Sequence, residues 1–321
     1  MTNISLFLRI NLHKELRNYS FFDIGNNSNY FDEYRNKEYV KEYVNSKLVP
    51  AIDFLSSLKD EKLKFNLSVS GVALEMFEKY HPEAVLRLKE FVKFMDVEMV
   101  GEPHHNSISY LFSKDEFDYQ VKYHSTCIKK VFGLKPVIFR NSDLSYHGEV
   151  DKALKGYKAM IIKSNIDSNQ VYKSKNGLNL IISSSDLVVC KNKDINVLTV
   201  DFEMFENVEY QEALTSLLKE HKFVFGSELA GKKASEFNEE NNKSSFIQAI
   251  QKSAINEVIK LEKIIKASHD DSLIETWRHL TSCVHYHKMC SSNLKSVESP
   301  YDVFISFNNV LKDLAIKAEN N

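Results

Sequence analysis

Val97-Glu98-Met99-Val100-Gly101-Glu102-Pro103-His104-His105 decides how this chain is read: a short Val-rich run with strand character ends in a carboxylate and two imidazoles. The arrangement recurs. His13 follows the run Ile4–Ile10, Arg140, Asn141 and Asp143 follow Val137–Phe139, and Asp201 and Glu203 follow Ile195–Val200. In parallel α/β proteins, binding and catalytic groups collect at the C-terminal ends of strands. Four such clusters, rich in carboxylates and histidines, point to one converging, enzyme-type pocket.

Further strand candidates are Phe65–Val69, Ala159–Lys163, Leu178–Ile182 and Phe223–Phe225. These runs are short, Val- and Ile-rich and apolar on both faces, as buried parallel strands are. Helical spacing separates the early ones, over Lys37–Leu58, Ala84–Phe94 and Lys114–Val131. Alternation of strand and helix predicts a (β/α) barrel or an open parallel sheet. No internal repeat is found. The polar stretch Lys232–Ser245 reads as a linker, and everything beyond it reads as helix. Phe246–Ala267 carries one apolar face, and Ser299-Pro300-Tyr301-Asp302 has an N-cap, a proline at the first helical position and an acid in the first turn. The expected division is a β/α domain over 1–231 and a helical domain over 232–321.

With 321 residues, 43% of them apolar, the chain is large enough for a sizeable core, and the abundant Asn and Lys do not signal disorder. A formal net charge of −2 gives no reason to expect nucleic acid or an acidic membrane surface as partner. The run Ile4–Ile10, interrupted by Arg9, is too short and weakly flanked for a signal peptide, and nothing later approaches a membrane span. Cys127, Cys190, Cys283 and Cys290 have neither metal-type nor framework spacing, so free thiols in a cytoplasmic protein are expected.

Asp143 and Asp201 are the leading catalytic candidates, because glycoside hydrolysis needs two carboxyls flanking the scissile bond. Taken singly, an acid after a strand is more often a helix cap or an ion-pair partner. Arg140 suits the fixing of a neighbouring carboxylate, or a plain structural ion pair. His104 and His105 are adjacent, so regular structure does not aim both at one site. A metal site built from His13, His104 or His105, and Asp201 is a competing reading without zinc-motif spacing; no metal and no cofactor are expected. Glu203 and Trp277 complete the substrate-binding candidates with His13, His104, His105 and Arg140. Trp277, the only tryptophan, offers a stacking face for sugar, although Leu273, Ile274 and Leu280 beside it form an apolar stripe suited to packing.

Longer ordered stretches carry a family resemblance. They include Tyr19-Ser20-Phe21-Phe22-Asp23-Ile24-Gly25, Gly101-Glu102-Pro103-His104-His105-Asn106-Ser107 and Phe139-Arg140-Asn141-Ser142-Asp143-Leu144. Asp201-Phe202-Glu203-Met204-Phe205 and Thr276-Trp277-Arg278-His279-Leu280-Thr281-Ser282 continue the series. With them the chain resembles glycoside hydrolase family 57, in its α-amylase-like branch. The resemblance implies an incomplete (β/α)7 barrel followed by a C-terminal helical bundle that closes the cleft. It also implies metal-free, retaining action on α-glucans or maltooligosaccharides, by hydrolysis or glucan transfer, with Asp143 at the nucleophile position and Asp201 as acid/base.

The chain departs from the family pattern at several cleft motifs. The nucleophile position carries Asp143 where the family has Glu, and His13 is followed by Lys14-Glu15 instead of Gln-Pro. Glu206-Asn207-Val208 replaces Gly-Glu-His after Asp201, and Cys283-Val284 replaces Asp-His after Thr281-Ser282. The segment Val189–Asn196 is also short for the usual helix. Two expectations follow: a glucan-active enzyme of reduced activity, or a non-catalytic homologue, a pseudoenzyme, that binds a glucan or a protein partner through the altered cleft. A third, metal-assisted deacetylation on the same barrel, uses the histidines and Asp201.

Overall fold

The computed structural model describes residues 2–148, 150–164, 171–185, 187, 189, 194–231, 234–238, 248–290 and 299–320. Its strands are β1 (Asn3–Ile10), β2 (Lys64–Val69), β3 (Asp96–Gly101), β4 (Ile138–Arg140), β5 (Ala159–Lys163), β6 (Val171–Lys173), β7 (Asn179–Ser185), β8 (Ile195–Asp201), β9 (Lys222–Phe223) and β10 (Ala234–Glu236). The parallel ladders β1–β2–β3–β4–β5–β7–β8 close on themselves, because β8 pairs back onto β1 from Asn3↔Ile195 to Arg9↔Asp201. The result is a seven-stranded parallel barrel. Pairing of β6 antiparallel to β7, with β10 parallel to β6, adds a flap outside it.

β1 shows why the barrel closes this way. Its alternate residues Ile4, Leu6, Leu8 and Ile10 pack outward, in one core with Phe65, Leu67, Val69 and the helices α1 (Glu33–Tyr43), α2 (Val49–Ser57), α3 (Gly71–Tyr80) and α4 (Pro82–Phe94). The period-two partner Phe7 faces inward, against Val100, Ile138, Ile161, Ile181 and Val197. α1 and α2 are joined by a π-helical turn at Val44–Leu48, so the stretch expected as one helix is continuous with a bulge. Ser70 caps α3 by accepting from the Ala73 amide. α5 (Lys114–Phe132) is capped by Ser113 and stopped by Gly133 at φ 74°, where the left-handed backbone favours glycine. Among the described residues no helix stands between β5 and β7, where the (β/α) alternation is therefore incomplete.

α6 (Val208–Glu220) and α7 (Gly226–Leu229) follow β8 and β9. The polar stretch expected as a linker is not wholly one: Ala234–Glu236 joins the sheet and Phe237 is buried, so the sheet runs past residue 231. Residues 232, 233 and 239–245 of that stretch, the first two residues of the helix expected from Phe246, Cys190 and most of the short segment before β8 lie outside the described residues. α8 (Ala249–Ala267), α9 (Asp271–Leu280), α10 (Cys283–Lys288) and α11 (Pro300–Glu319) form the helical region, and Ser299 caps α11 as its sequence predicts.

The helical core is shared with barrel loops. Val258, Ile265, Trp277, Phe307, Val310 and Leu314 pack with Tyr19 and Tyr30 from the loop after β1 and Ile108 from the loop after β3. The backbone amides of Ile108 and Cys283 donate to the carbonyls of Thr281 and Asn106, each at 2.9 Å. The helices are thereby fastened to the C-terminal end of the barrel. Among the described residues no helix is long and apolar enough to cross a membrane.

Trp277 is fully buried in this core, and its indole N–H donates to the Val258 carbonyl at 3.1 Å. A ring without an open face cannot stack on a sugar, so its assignment as substrate-binding is corrected to packing. Trp277→Ala is expected to cost about 3–5 kcal/mol, measurable as a shift in the urea midpoint.

Candidate active site

The inward residues of the strands become polar toward the mouth. Arg9, at the end of β1, donates to Glu102 Oε2 at 2.9 Å and to Asn106 Oδ1 at 2.8 Å. Glu102 is almost wholly buried, and Arg140 at the end of β4 holds its Nε 3.9 Å from the same carboxylate, an ion-pair distance without a hydrogen bond. Burial opposes the charge on Glu102, but Arg9 and then Arg140 outweigh it and hold the carboxyl below its ordinary range. Burial and the neighbouring Arg9 pull Arg140 down to about 9, against Glu102 and Asp201.

Asp143 and Asp201 sit on opposite walls of this mouth. β4 and β8 lie three strand steps apart in one direction around the ring, through β5 and β7, and four in the other. Asp201 ends β8, opens to solvent, and its charge reaches Arg9, Arg140 and Glu203. Asp143 lies in the turn Ser142–Leu144 with φ 56°, and Leu144 follows at φ 54°. Asn106 is also left-handed, at φ 53°. Non-glycine residues held there cost of order 1–3 kcal/mol each and persist where the surroundings fix them, most often at functional sites.

The Asp143 carboxylate accepts from His287 Nε2 at 2.7 Å, and Cys283 stands within 4.8 Å of both. Cys283 in turn accepts from Asn106 Nδ2 at 3.0 Å. Hydrogen bonds therefore run from Cys283 through Asn106 and Arg9 to Glu102, with Asp143 close by Cys283. The hydrogen bond to Asp143 raises His287 above its ordinary value, more than burial lowers it. Because the raised value belongs to the folded state, this contribution to stability is complete below about pH 6.5. It is lost as pH rises through the raised value. Asp143→Asn should return the His287 titration toward the ordinary range, as read by NMR of the imidazole protons.

The expected histidines stand elsewhere. His13 pairs with Glu15 at 2.7 Å, and Glu15 also accepts from Lys288. His104 is buried with Nε2 2.8 Å from Glu75 of α3, and His105 is buried with Nε2 2.7 Å from Glu275 of α9. Both adjacent imidazoles find carboxylates, on two different helices. Neither His13 nor the His104–His105 pair joins Asp201, so the metal set of His13, one of these histidines and Asp201 is not assembled. Glu203 accepts from the Tyr43 hydroxyl at 3.1 Å, on the α1 side. The position of His104 also fixes its neighbour: a Cβ at Gly71 would lie 2.2 Å from His104 Nδ1. Gly71→Ala is expected to destabilise by about 1–3 kcal/mol, visible in thermal unfolding.

Arg9, Asn106 and His287 join this mouth although the sequence gives them no place in the site, whereas Glu102 belongs to the cluster after β3 and Cys283 to an altered cleft motif that the sequence marks. Arg9 carries a signal, being the one charged residue in β1. His287 carried none, since its partner lies 144 residues away.

The closed parallel barrel, its charged mouth and the helices fastened over it define a parallel β/α-barrel protein with one carboxylate, Asp143, just past β4 and another, Asp201, at the end of β8. The sequence profile of glycosyl hydrolase family 57 matches residues 8–274, and the chain belongs to that family. Over 145 residues it is 30% identical to a protein of Methanocaldococcus jannaschii described as "Putative alpha-amylase", spanning 42% of this chain and 31% of that one. The fold is shared with the 4-α-glucanotransferase of Thermococcus litoralis (TM-score 0.57, 14% identity, 95% of this chain, 53% of that one). It is also shared with a branching enzyme of Pyrococcus horikoshii (TM-score 0.69, 10% identity, 99% and 88%). The chain thus spans about a third of the first relative and about half of the second.

Proposed function

We propose that this chain acts on α-1,4-linked glucans by double displacement. Asp143 serves as the nucleophile and Asp201 as the general acid, then base. The observation that carries the reading is the placement of these two carboxylates at the ends of β4 and β8, on opposite walls of one barrel mouth. Family membership and the named activities of its relatives support an α-glucan as substrate. In the first step Asp201 protonates the glycosidic oxygen as the Asp143 carboxylate attacks the anomeric carbon. In the second, Asp201 takes a proton from water, or from a second sugar hydroxyl, as the glycosyl ester is cleaved. Arg9 and Arg140 hold Glu102 charged beneath the site and offset the negative charge of Asp201. Beside the mouth a groove of about 620 Å³, lined in part by Glu15, Arg17, Phe21, Arg35 and Lys288, gives a glucan room to extend.

A second reading, a binding module without turnover, is favoured by the Asp143–His287 hydrogen bond, which occupies the nucleophile, and by its side chain being one methylene short. That shortening withdraws the carboxylate by about 1–1.5 Å, the length of one C–C bond. A misplacement of about 1 Å costs on the order of 10²-fold in rate. The two readings separate in a product assay on maltooligosaccharides with the natural chain and Asp143→Glu side by side. Slow turnover by the natural chain, quickened by the added methylene, is expected. No product from either, with glucan still bound, would leave the binding module standing.

A further inference from the structure

A second cluster of chemistry-bearing side chains lies outside the carboxylate pair, where the barrel meets the helical region. Five residues from three segments meet there: Glu75 of α3, His104 and His105 of the loop after β3, and Glu275 and His279 of α9. The donor atoms of Glu75, His104 and His105 lie within 4.8 Å of one another, and so do those of His105, Glu275 and His279. His279 Nε2 stands 3.6 Å from Glu275 Oε1 and 3.7 Å from Glu75 Oε2. Around a tetrahedral Zn²⁺, with bonds of about 2.0–2.2 Å, ligand atoms stand about 3.3–3.6 Å apart. The imidazole ring centroids are 4.9 Å apart for His104–His105 and 4.7 Å for His105–His279.

Three buried imidazoles beside two half-buried carboxylates are an uncommon arrangement, because each imidazole gives up hydration to be there. The structure already places a cation among them. The Lys14 ammonium donates to His279 Nε2 at 2.6 Å and lies 3.3 Å from Glu75 Oε2. Its long, partly exposed side chain can withdraw. Imidazole nitrogen and carboxylate oxygen are the ligand set that suits zinc and related divalent ions.

We propose that His105, His279 and Glu275, with Glu75 and His104 beside them, bind one divalent transition-metal ion of the Zn²⁺ class in place of the Lys14 ammonium. The ion ties the loop after β3 and the middle of α3 to α9, and so staples the helical region onto the barrel. It is separate from the carboxylate pair, and the proposal stands whether or not the chain turns over glucan. A third group, Asp143, Cys283 and His287, also has donor atoms within 4.8 Å and is the control.

The test is titration of the tag-free full chain with Zn²⁺, and with Co²⁺ for its visible absorption, followed by thermal unfolding with and without the ion. About one equivalent should bind with a rise in Tm. Glu275→Gln and His279→Gln should each weaken binding by on the order of 100-fold. Glu275 is partly exposed on α9, so loss of binding in its isosteric variant is not a loss of fold. Cys283→Ser should leave binding unchanged, and Lys14→Ala should retain or tighten it. The proposal is overturned by the absence of saturable binding, by binding lost in Cys283→Ser but kept in Glu275→Gln, or by a Lys14→Ala chain that no longer binds the ion.

Discussion

Asp201→Asn is expected to lower kcat on maltooligosaccharides by about 10²–10⁴-fold, the usual worth of a positioned acid/base, while glucan binding survives. The amide keeps the size of the side chain and its place at the end of β8, but it can neither give a proton to the leaving oxygen nor take one from water. Because Asp201 is open to solvent, the substitution removes no buried contact and the fold should be untouched. Activated substrates whose leaving group departs without a proton should lose less, since only the second step then needs the missing base. The check is steady-state kinetics on both substrate types, beside a binding isotherm. An unchanged kcat would remove Asp201 from the mechanism, and loss of binding with no turnover in the natural chain would favour the binding module.

Arg9→Met is expected to destabilise the protein by about 3–5 kcal/mol. Glu102 is almost wholly buried, and Arg9 supplies its one direct hydrogen bond from a charged side chain among those described. Arg140, 3.9 Å away, is too far for another. Removal of Arg9 leaves a buried carboxylate facing a cation that does not bond it, and it also strips Asn106 of its donor. The methionine fills much of the volume, so the loss reports the charge and not a cavity. Adding Glu102→Gln should recover a large part of it, because a neutral amide is less costly to leave unpaired. Urea unfolding of the two variants decides this. An Arg9→Met chain within about 1 kcal/mol of the natural one would place the pair among weak surface-type ion pairs.

The sequence showed most of what repeats at short range. The apolar run Ile4–Ile10, the valine-rich runs and the Ser299 cap are local, and the structure has them where the sequence predicts them. The clusters after β1, β3, β4 and β8 were visible for the same reason: a strand end is legible in a few residues. What the clusters do was not. His104 and His105 meet partners 29 and 170 positions away, and Glu102 meets Arg9 across 93. Periodicity carries no information about such pairings. Trp277 stays ambiguous in sequence, because an aromatic on a helix reads alike whether it faces a cleft or a core, and burial decides for packing. Short strands such as β6 and β10 borrow their stability from the sheet edge they join, and three residues carry no pattern of their own.

Double displacement by Asp143 and Asp201, as proposed, fixes the configuration of the first product. The most direct measurement is proton NMR of the first sugar released from a maltooligosaccharide, recorded before mutarotation. The α-anomer is expected, because two inversions at the same carbon restore the configuration. Release of the β-anomer would mean that water attacks directly across a wider gap between the carboxylates, and would remove Asp143 as the nucleophile.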